Sequence, residues 1–251
     1  MQARAQVSLS VAPGRLFFDM NKAGRTEKIK VFNNGKTATT WQVSVQDWTR
    51  DSSGQKHFFP PGTQARSCAR NIRFYPAVVT IPPDSNAEIS ISITGDTGLS
   101  EKDTARHAMV VISQAEDPAR LKQPTHKQAA IEIKAEFAVH VYLFNGASQR
   151  SFDIDNFYFE KDSSGRLLVS VQNTGLQPLD TKAAVELSDK ATGKEWKLEE
   201  QAAAILPGNR RISIFTLPKD LPKASFLALA IVHCGDDMPV KVGELSFDWN
   251  P

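Results

Sequence analysis

The sequence predicts an all-β chain built as two tandem β-sandwich domains. Three observations carry this: short segments alternate apolar and polar residues, helical periodicity is almost absent, and the two halves repeat each other's turn motifs. Short alternating strands between regularly spaced turn signals are the pattern of sandwiches.

Along the chain, the alternating segments are Glu27–Asn33, Thr40–Trp48, Ala87–Thr94, His107–Gln114, Ala130–Phe144, Leu167–Asn173, Ala183–Ser188, Arg211–Leu217, Ser225–His233 and Val240–Trp249. A period of two sends successive side chains to opposite faces, so each segment can bury one face. Two motifs recur in order. VFNNG (Val31–Gly35) returns as VQNTG (Val171–Gly175), and TIPPDSNAEISISI (Thr80–Ile93) is echoed by AILPGNRRISIFTL (Ala204–Leu217). DSSG also occurs twice, at Asp51–Gly54 and Asp162–Gly165, with the polar composition of a hairpin turn, though its order relative to the other motifs changes. Alternation stops at the small, turn-prone residues Asn145-Gly146-Ala147-Ser148. The boundary is placed there, giving domains 1–146 and 147–251, both of ordinary size.

Composition narrows the function. Of 251 residues, 41% are apolar, enough for real cores, and the net charge of +2 comes without a long block of Lys and Arg. That argues against nucleic acid as the main partner. No apolar run approaches the roughly 20 residues needed to span a bilayer, so no stable membrane insertion is expected. Ala3-Arg4-Ala5 has the small-x-small form of a signal cleavage site, from which an exported protein that has lost its signal is expected; a natural frayed terminus is the alternative. Cys68 and Cys234 fall in different predicted domains and are expected as two separate buried thiols.

Catalytic and metal chemistry find little support. The five histidines, His57, His107, His126, His140 and His233, are scattered. HCGDDM (His233–Met238) gathers possible ligands, but neighbours on a strand point to opposite faces, so a strand end followed by an acidic turn is the better reading. G-x-S-x-G, P-loop, G-x-G-x-x-G and H-E-x-x-H motifs are missing from the sequence. Glu199/Glu200 and Asp236/Asp237 read as solvated surface. The expectation is a non-enzyme with no cofactor and no metal. In HFFPPG (His57–Gly62), Phe58 and Phe59 are expected to anchor a loop in the core, with exposure to a partner as the alternative.

The longest alternating stretch, AIEIKAEFAVHVYLF (Ala130–Phe144), is apolar at Ile131, Ile133, Ala135, Phe137, Val139, Val141 and Leu143. Its even positions carry Glu132, Lys134, Glu136 and His140, which predicts one dry and one wet face. Globular strands usually run about 5–6 residues. The preceding segment, Ala115–Gln128, is polar and charged with two prolines, the composition of a loop.

VAPGRLFFDMNKAGRTEKIKVFNNG (Val11–Gly35), VSVQDW (Val43–Trp48), FFPPG (Phe58–Gly62), IPPDSNAEISISI (Ile81–Ile93) and the long strand together resemble the first domain of PapD-like periplasmic pilus chaperones, as an atypical member. The resemblance covers most of residues 7–146 and reaches weakly into the second half. It implies two immunoglobulin-like domains set at an angle, the boomerang arrangement, and a periplasmic, non-enzymatic chaperone. It also implies that the long strand lies at a sheet edge and is lent to an incomplete pilin-like subunit by β-augmentation. The donor face would be Ile131, Ile133, Ala135, Phe137, Val139 and Val141, so glutamate at Phe137 and Val139 should block capture and spare the fold. The family holds its partner's C-terminal carboxylate with an arginine and a lysine. Arg15 matches the arginine, and a guanidinium suits a carboxylate's geometry. His140 stands where the lysine belongs, a departure, because an ordinary histidine is mostly neutral at pH 7. Lys134, six residues earlier and about 20 Å away at strand rise, is no local substitute. The rival reading is a clientless structural or adhesive module of the cell envelope, in which the strand is buried or pairs in a homodimer.

Overall fold

In a computed structural model of the chain, residues 9–22, 25–95, 97, 99–115, 135–160 and 165–250 are described. The chain divides into two compact units. The first takes residues 1–48, 58–99 and 106–146; the second takes 49–57, 100–105 and 147–251. Among the described residues both are built from strands, with one 3-10 turn at Ala69–Asn71.

The first ten strands are β1 (Leu9–Ala12), β2 (Arg15–Asp19), β3 (Thr26–Asn33), β4 (Thr39–Arg50), β5 (Lys56–Phe59), β6 (Ile72–Tyr75), β7 (Val78–Ile81), β8 (Ser85–Ile93), β9 (Arg106–Gln114) and β10 (Glu136–Phe144). One sheet has the order β1-β3-β8-β6; the other runs β2-β10-β9-β4-β5, with β7 beside β4. Their inner faces meet in a core that includes Ile29, Val31, Trp41, Ile89, Ile91, Val110 and Ile112. The N-terminal run changes sheet at Pro13-Gly14: β1 pairs antiparallel with β3, while β2 pairs parallel with β10.

The remaining strands are β11 (Phe152–Glu160), β12 (Arg166–Asn173), β13 (Leu179–Asp189), β14 (Glu195–Lys197), β15 (Gln201–Ile205), β16 (Arg210–Thr216), β17 (Ala224–His233) and β18 (Lys241–Trp249). Their sheets are β11-β12-β16 and β14-β13-β17-β18, with β15 on β13. Phe152, Leu167, Val185, Phe215 and Phe226 lie in the core of this second unit. The alternation of β11 is broken by a register shift between Ile154 and Asn156, which is why the period-two pattern does not reveal it. Both cysteines are buried free thiols, and burial pushes the Cys68 thiol up to about 12.

The sequence echoes have a common physical cause. Asn33 donates through Nδ2 to the carbonyls of Thr37, Ile81 and Pro82, and its Oδ1 accepts from Gly35 N–H. Asn173 does the same to Gln177 and Ile205, and accepts from Gly175 N–H. The two recurring motifs are therefore joined to each other in each unit: the asparagine of V-x-N-x-G ties down the isoleucine of the proline-turn segment. Gly175 is fixed by space, since a Cβ there would lie 2.5 Å from Ser151 N and 2.9 Å from Gln149 O.

HFFPPG does not anchor a loop in the core. Phe58 is 55% exposed and Phe59 is half-buried, at the edge of a sheet where, among the described residues, the strand pairs on one side only.

Candidate functional site

The long strand is the site's backbone, and its described part is β10, Glu136–Phe144, with Ala135 before it. Ile131 and Ile133 lie outside the described residues. Antiparallel to β9, β10 pairs from Glu136↔Ser113 through Leu143↔Arg106. On the other flank β2 covers only its second half, from His140↔Arg15 to Phe144↔Asp19. The strand is thus interior over His140–Phe144. Over Glu136–Val139, no strand among the described residues pairs on that flank.

Alternation also decides which backbone groups face that flank. His140 N–H bonds to Gly14 O and Phe144 O accepts from Met20 N–H, so even residues direct their groups toward β2. Gln114 N–H bonds to Ala135 O, so odd residues face β9. Where β2 is missing, the N–H and C=O of Glu136 and Ala138 therefore point outward.

The side chains correct two expectations. Val139 and Val141, at 1% and 0% exposure, belong to the unit's own core, and Phe137 and Ala135 pack partly against it. Val139 and Val141, expected on a donor face, instead fill a groove at home. The even face is wet at Glu136, as expected, but not farther along, where His140 and Tyr142 are buried at 9% and 4%.

Arg15 and His140, far apart in sequence, are register partners on the β2–β10 pair, so the fold does bring the two anchor candidates together. They differ in exposure: Arg15 is exposed, whereas His140 is nearly enclosed. The His140 ring lies 4.5 Å from the Trp48 ring, tilted by 59°, and is nearly parallel to Tyr142 at 6.3 Å. Phe17 stacks on Tyr142 at 5.1 Å and is 48% exposed. A run of rings, Trp48–His140–Tyr142–Phe17, thus ends at the surface beside Arg15.

This run has a supporting frame that the sequence reading missed. Trp48 Nε1 donates to Ala108 O at 3.2 Å, and His107 Nε2 lies 2.9 Å from Trp48 O. Because a carbonyl only accepts, His107 carries its proton on Nε2. Asp47, fully buried, accepts from Thr63 N–H, Gln64 N–H and the Ser67 hydroxyl, holding the loop after Pro61 against β4. The adjacent pair Asp47-Trp48 in VSVQDW was the available signal: a carboxylate beside an aromatic at the end of an alternating run.

Burial pushes the His107 imidazole below its ordinary 6.5, with Arg66 adding to the fall, against the Trp48 hydrogen bond and Asp47. The folded unit holds the neutral ring and the unfolded chain takes up the proton first, so stability rises with pH across the window. Stability is full above about pH 6.5 and declines as pH falls from there toward the depressed folded value, by at most about 1.4 kcal/mol per pH unit. Urea unfolding between pH 5 and 8 should show this slope, and His107→Gln should flatten it.

Among the described residues no cluster of histidine, cysteine and carboxylate could hold a metal ion. Among the described residues no helix is long and apolar enough to cross a membrane.

No protein-family model matches the chain, nor does any curated protein. Solved structures do. The structure of the Salmonella enterica SafA pilin in complex with the SafB chaperone matches with a TM-score of 0.51 at 13% identity, over 97% of this chain and 99% of that one. The Acinetobacter baumannii CsuC-CsuE chaperone-tip adhesion subunit complex gives 0.49 at 10% identity, over 94% and 97%. The E. coli chaperone DraB gives 0.49 at 12%, over 97% and 96%. The first of these places the chain in a class: all-β, two-domain and immunoglobulin-like, the fold of a pilus chaperone–subunit structure along nearly its whole length. At 13% identity the likeness is one of fold.

Proposed function

We propose that this is a non-enzymatic, chaperone-like protein of the bacterial periplasm that captures a pilin-like subunit of a surface structure by strand pairing. The observation that carries the reading is the part of β10's flank that no strand among the described residues covers. Where β2 stops, Glu136 and Ala138 turn their backbone groups outward, next to an apolar alternation that the sequence continues upstream through Ile133 and Ile131. An incoming strand would satisfy those groups. Its specificity would come from the apolar sequence positions upstream, Ile131 and Ile133, each worth about 1.5–3 kcal/mol when fully buried, with the smaller Ala135 beside them. Arg15, exposed at the end of the β2–β10 pair, is the proposed anchor for the subunit's terminal carboxylate. The fold is that of a structure solved with a pilin and its chaperone.

The test is Ala138→Pro. Proline removes the outward N–H and leaves the bonds of Phe137 and Val139 to β9, a substitution that strand edges tolerate. The tagged full chain should co-purify with a surface-structure subunit from the periplasm of its own bacterium, and Ala138→Pro should lose that subunit while keeping its circular dichroism. Undiminished capture by the variant would sink strand pairing. A wild-type chain that elutes alone or as a stable dimer would favour the structural module.

A further inference from the structure

From Phe226 to Val232, β17 is apolar at every position, yet only one of its faces meets the core of its own unit. The even residues Phe226, Ala228, Ala230 and Val232 are buried in that core. The odd residues Leu227, Leu229 and Ile231 leave the sheet on the other side and stay half-buried. The outward row of β8, by contrast, is Asn86, Glu88, Ser90 and Ser92. A continuous apolar run is the pattern of a strand covered on both faces. We propose that the outer face of the β14-β13-β17-β18 sheet is covered by the same face of a second copy of this chain, giving a symmetric dimer joined through its second units. This surface lies wholly in the second unit, and the proposal stands apart from the strand-pairing reading of β10.

Register lays the face out in rows. Ala184, Ile231 and Val242 stand side by side, and Val242 is 57% exposed. The next row reads Lys197, Glu186, Leu229, Glu244, and the one after it Glu195, Ser188, Leu227, Ser246. An aliphatic stripe therefore runs up the middle and charge lies along both flanks, the layout of an interface core and its rim. The charges choose the occupant. In a two-fold dimer each patch meets itself. Turning one copy by half a revolution about a line along the strands, between β13 and β17, lays β14 of each copy over β18 of the other. Lys197 then faces Glu244, and Glu195 faces Ser246, onto which Lys190 Nζ already donates at 2.7 Å. Both matches occur twice. Lys197 holds Glu186 at 2.8 Å with its side chain 74% exposed, so it can take a second carboxylate. The same rotation sets the small Ala184 against Ile231. Packed sheets keep their strands within about 30° of each other, which this axis satisfies. Four strands about 4.8 Å apart and about 30 Å long present about 570 Å². Two copies cover about 1,100 Å², just above the roughly 1,000 Å² that a specific interface needs.

The test is sedimentation equilibrium of the full chain from about 1 to 200 µM, a range that brackets the weak affinity expected of so small an interface. The wild type should pass from monomer to dimer mass with a Kd of about 10 µM. Leu229→Asp, at a half-buried outward position, should raise that Kd at least about tenfold and keep the circular dichroism and urea midpoint. Charge reversal probes the register without touching the stripe. Glu244→Lys and Lys197→Glu should each weaken the dimer about threefold or more, and the double exchange should recover most of the loss. Ile214→Asp, 45% exposed on the outer face of the unit's other sheet, should change nothing. A wild type that stays monomeric throughout would overturn the inference; if Leu229→Asp then failed to retain a co-purified subunit, the face would belong to that subunit. A dimer that survives Leu229→Asp, or that dissociates with Ala138→Pro instead, would also overturn it. A double exchange that restores nothing would overturn the two-fold arrangement.

Discussion

Replacing Asn173 by leucine should cost the chain about 3 kcal/mol or more, read as a fall in urea midpoint with little change in m-value. Asn173 is completely buried, and its one side chain serves three backbone groups: the carbonyls of Gln177 and Ile205, at 2.9 and 3.0 Å, and the amide of Gly175. Leucine has nearly the same size, so packing is roughly preserved and the measurement isolates the polar loss. Each buried group left without its partner costs about 1–3 kcal/mol. The effect should exceed that of removing an exposed ion pair such as Lys197–Glu186, for which about 0–1 kcal/mol is typical. A loss below 1 kcal/mol for Asn173→Leu would mean that the turn carbonyls find other donors.

Val139→Glu is expected to unfold the first unit rather than to disarm it. Val139 is 1% exposed in a core that also contains Val141, Leu143 and Trp41. Burying a carboxylate there, charged or forced neutral, costs several kcal/mol, against a total stability of about 5–15 kcal/mol for a typical domain. The environments of Trp41 and Trp48, both in this unit, should lose their near-ultraviolet dichroism. Ala138→Pro, one residue away, should keep it. A soluble, folded Val139→Glu variant that merely failed to bind a subunit would restore the donor face first expected for residues 131–141.

Much of the architecture was legible because sandwiches announce themselves by period. The alternating segments in β3, β4, β8, β9 and β10 correspond to observed strands, and the V-x-N-x-G echo marked a construction used in both units. What escaped was what lacks a period. β1 and β2 are four and five residues long and break across Pro13-Gly14, and β11 carries a register shift. Alternation in β10 showed which residues share a face but not which side of the sheet that face meets. Val139 and Val141 therefore read as lendable when they were already in use, and His140 read as wet when aromatic rings enclosed it. Arg15 meeting His140 was reached through family resemblance; a parallel pairing between sequence-distant strands leaves no local trace.

That parallel pairing bears on how the first unit assembles. The Asp19 carboxylate receives the Gly146 N–H across 127 positions of sequence, and the β2–β10 ladder beside it is almost as non-local. Nearest neighbours such as β3 and β8, or β9 and β10, close smaller loops, and loop-closure entropy delays the larger ones. The segment Arg15–Asp19 must therefore wait, unmatched, until nearly all of the unit has emerged and β10 has formed. Until then no strand among the described residues covers that flank of β10, and β2 competes for it with any other strand nearby. The arrival of β2 converts half of an indiscriminate edge into a closed one and leaves a short remainder with defined ends. The oldest residues of the unit thus act last, as a ruler that measures out how much of the newest strand stays available.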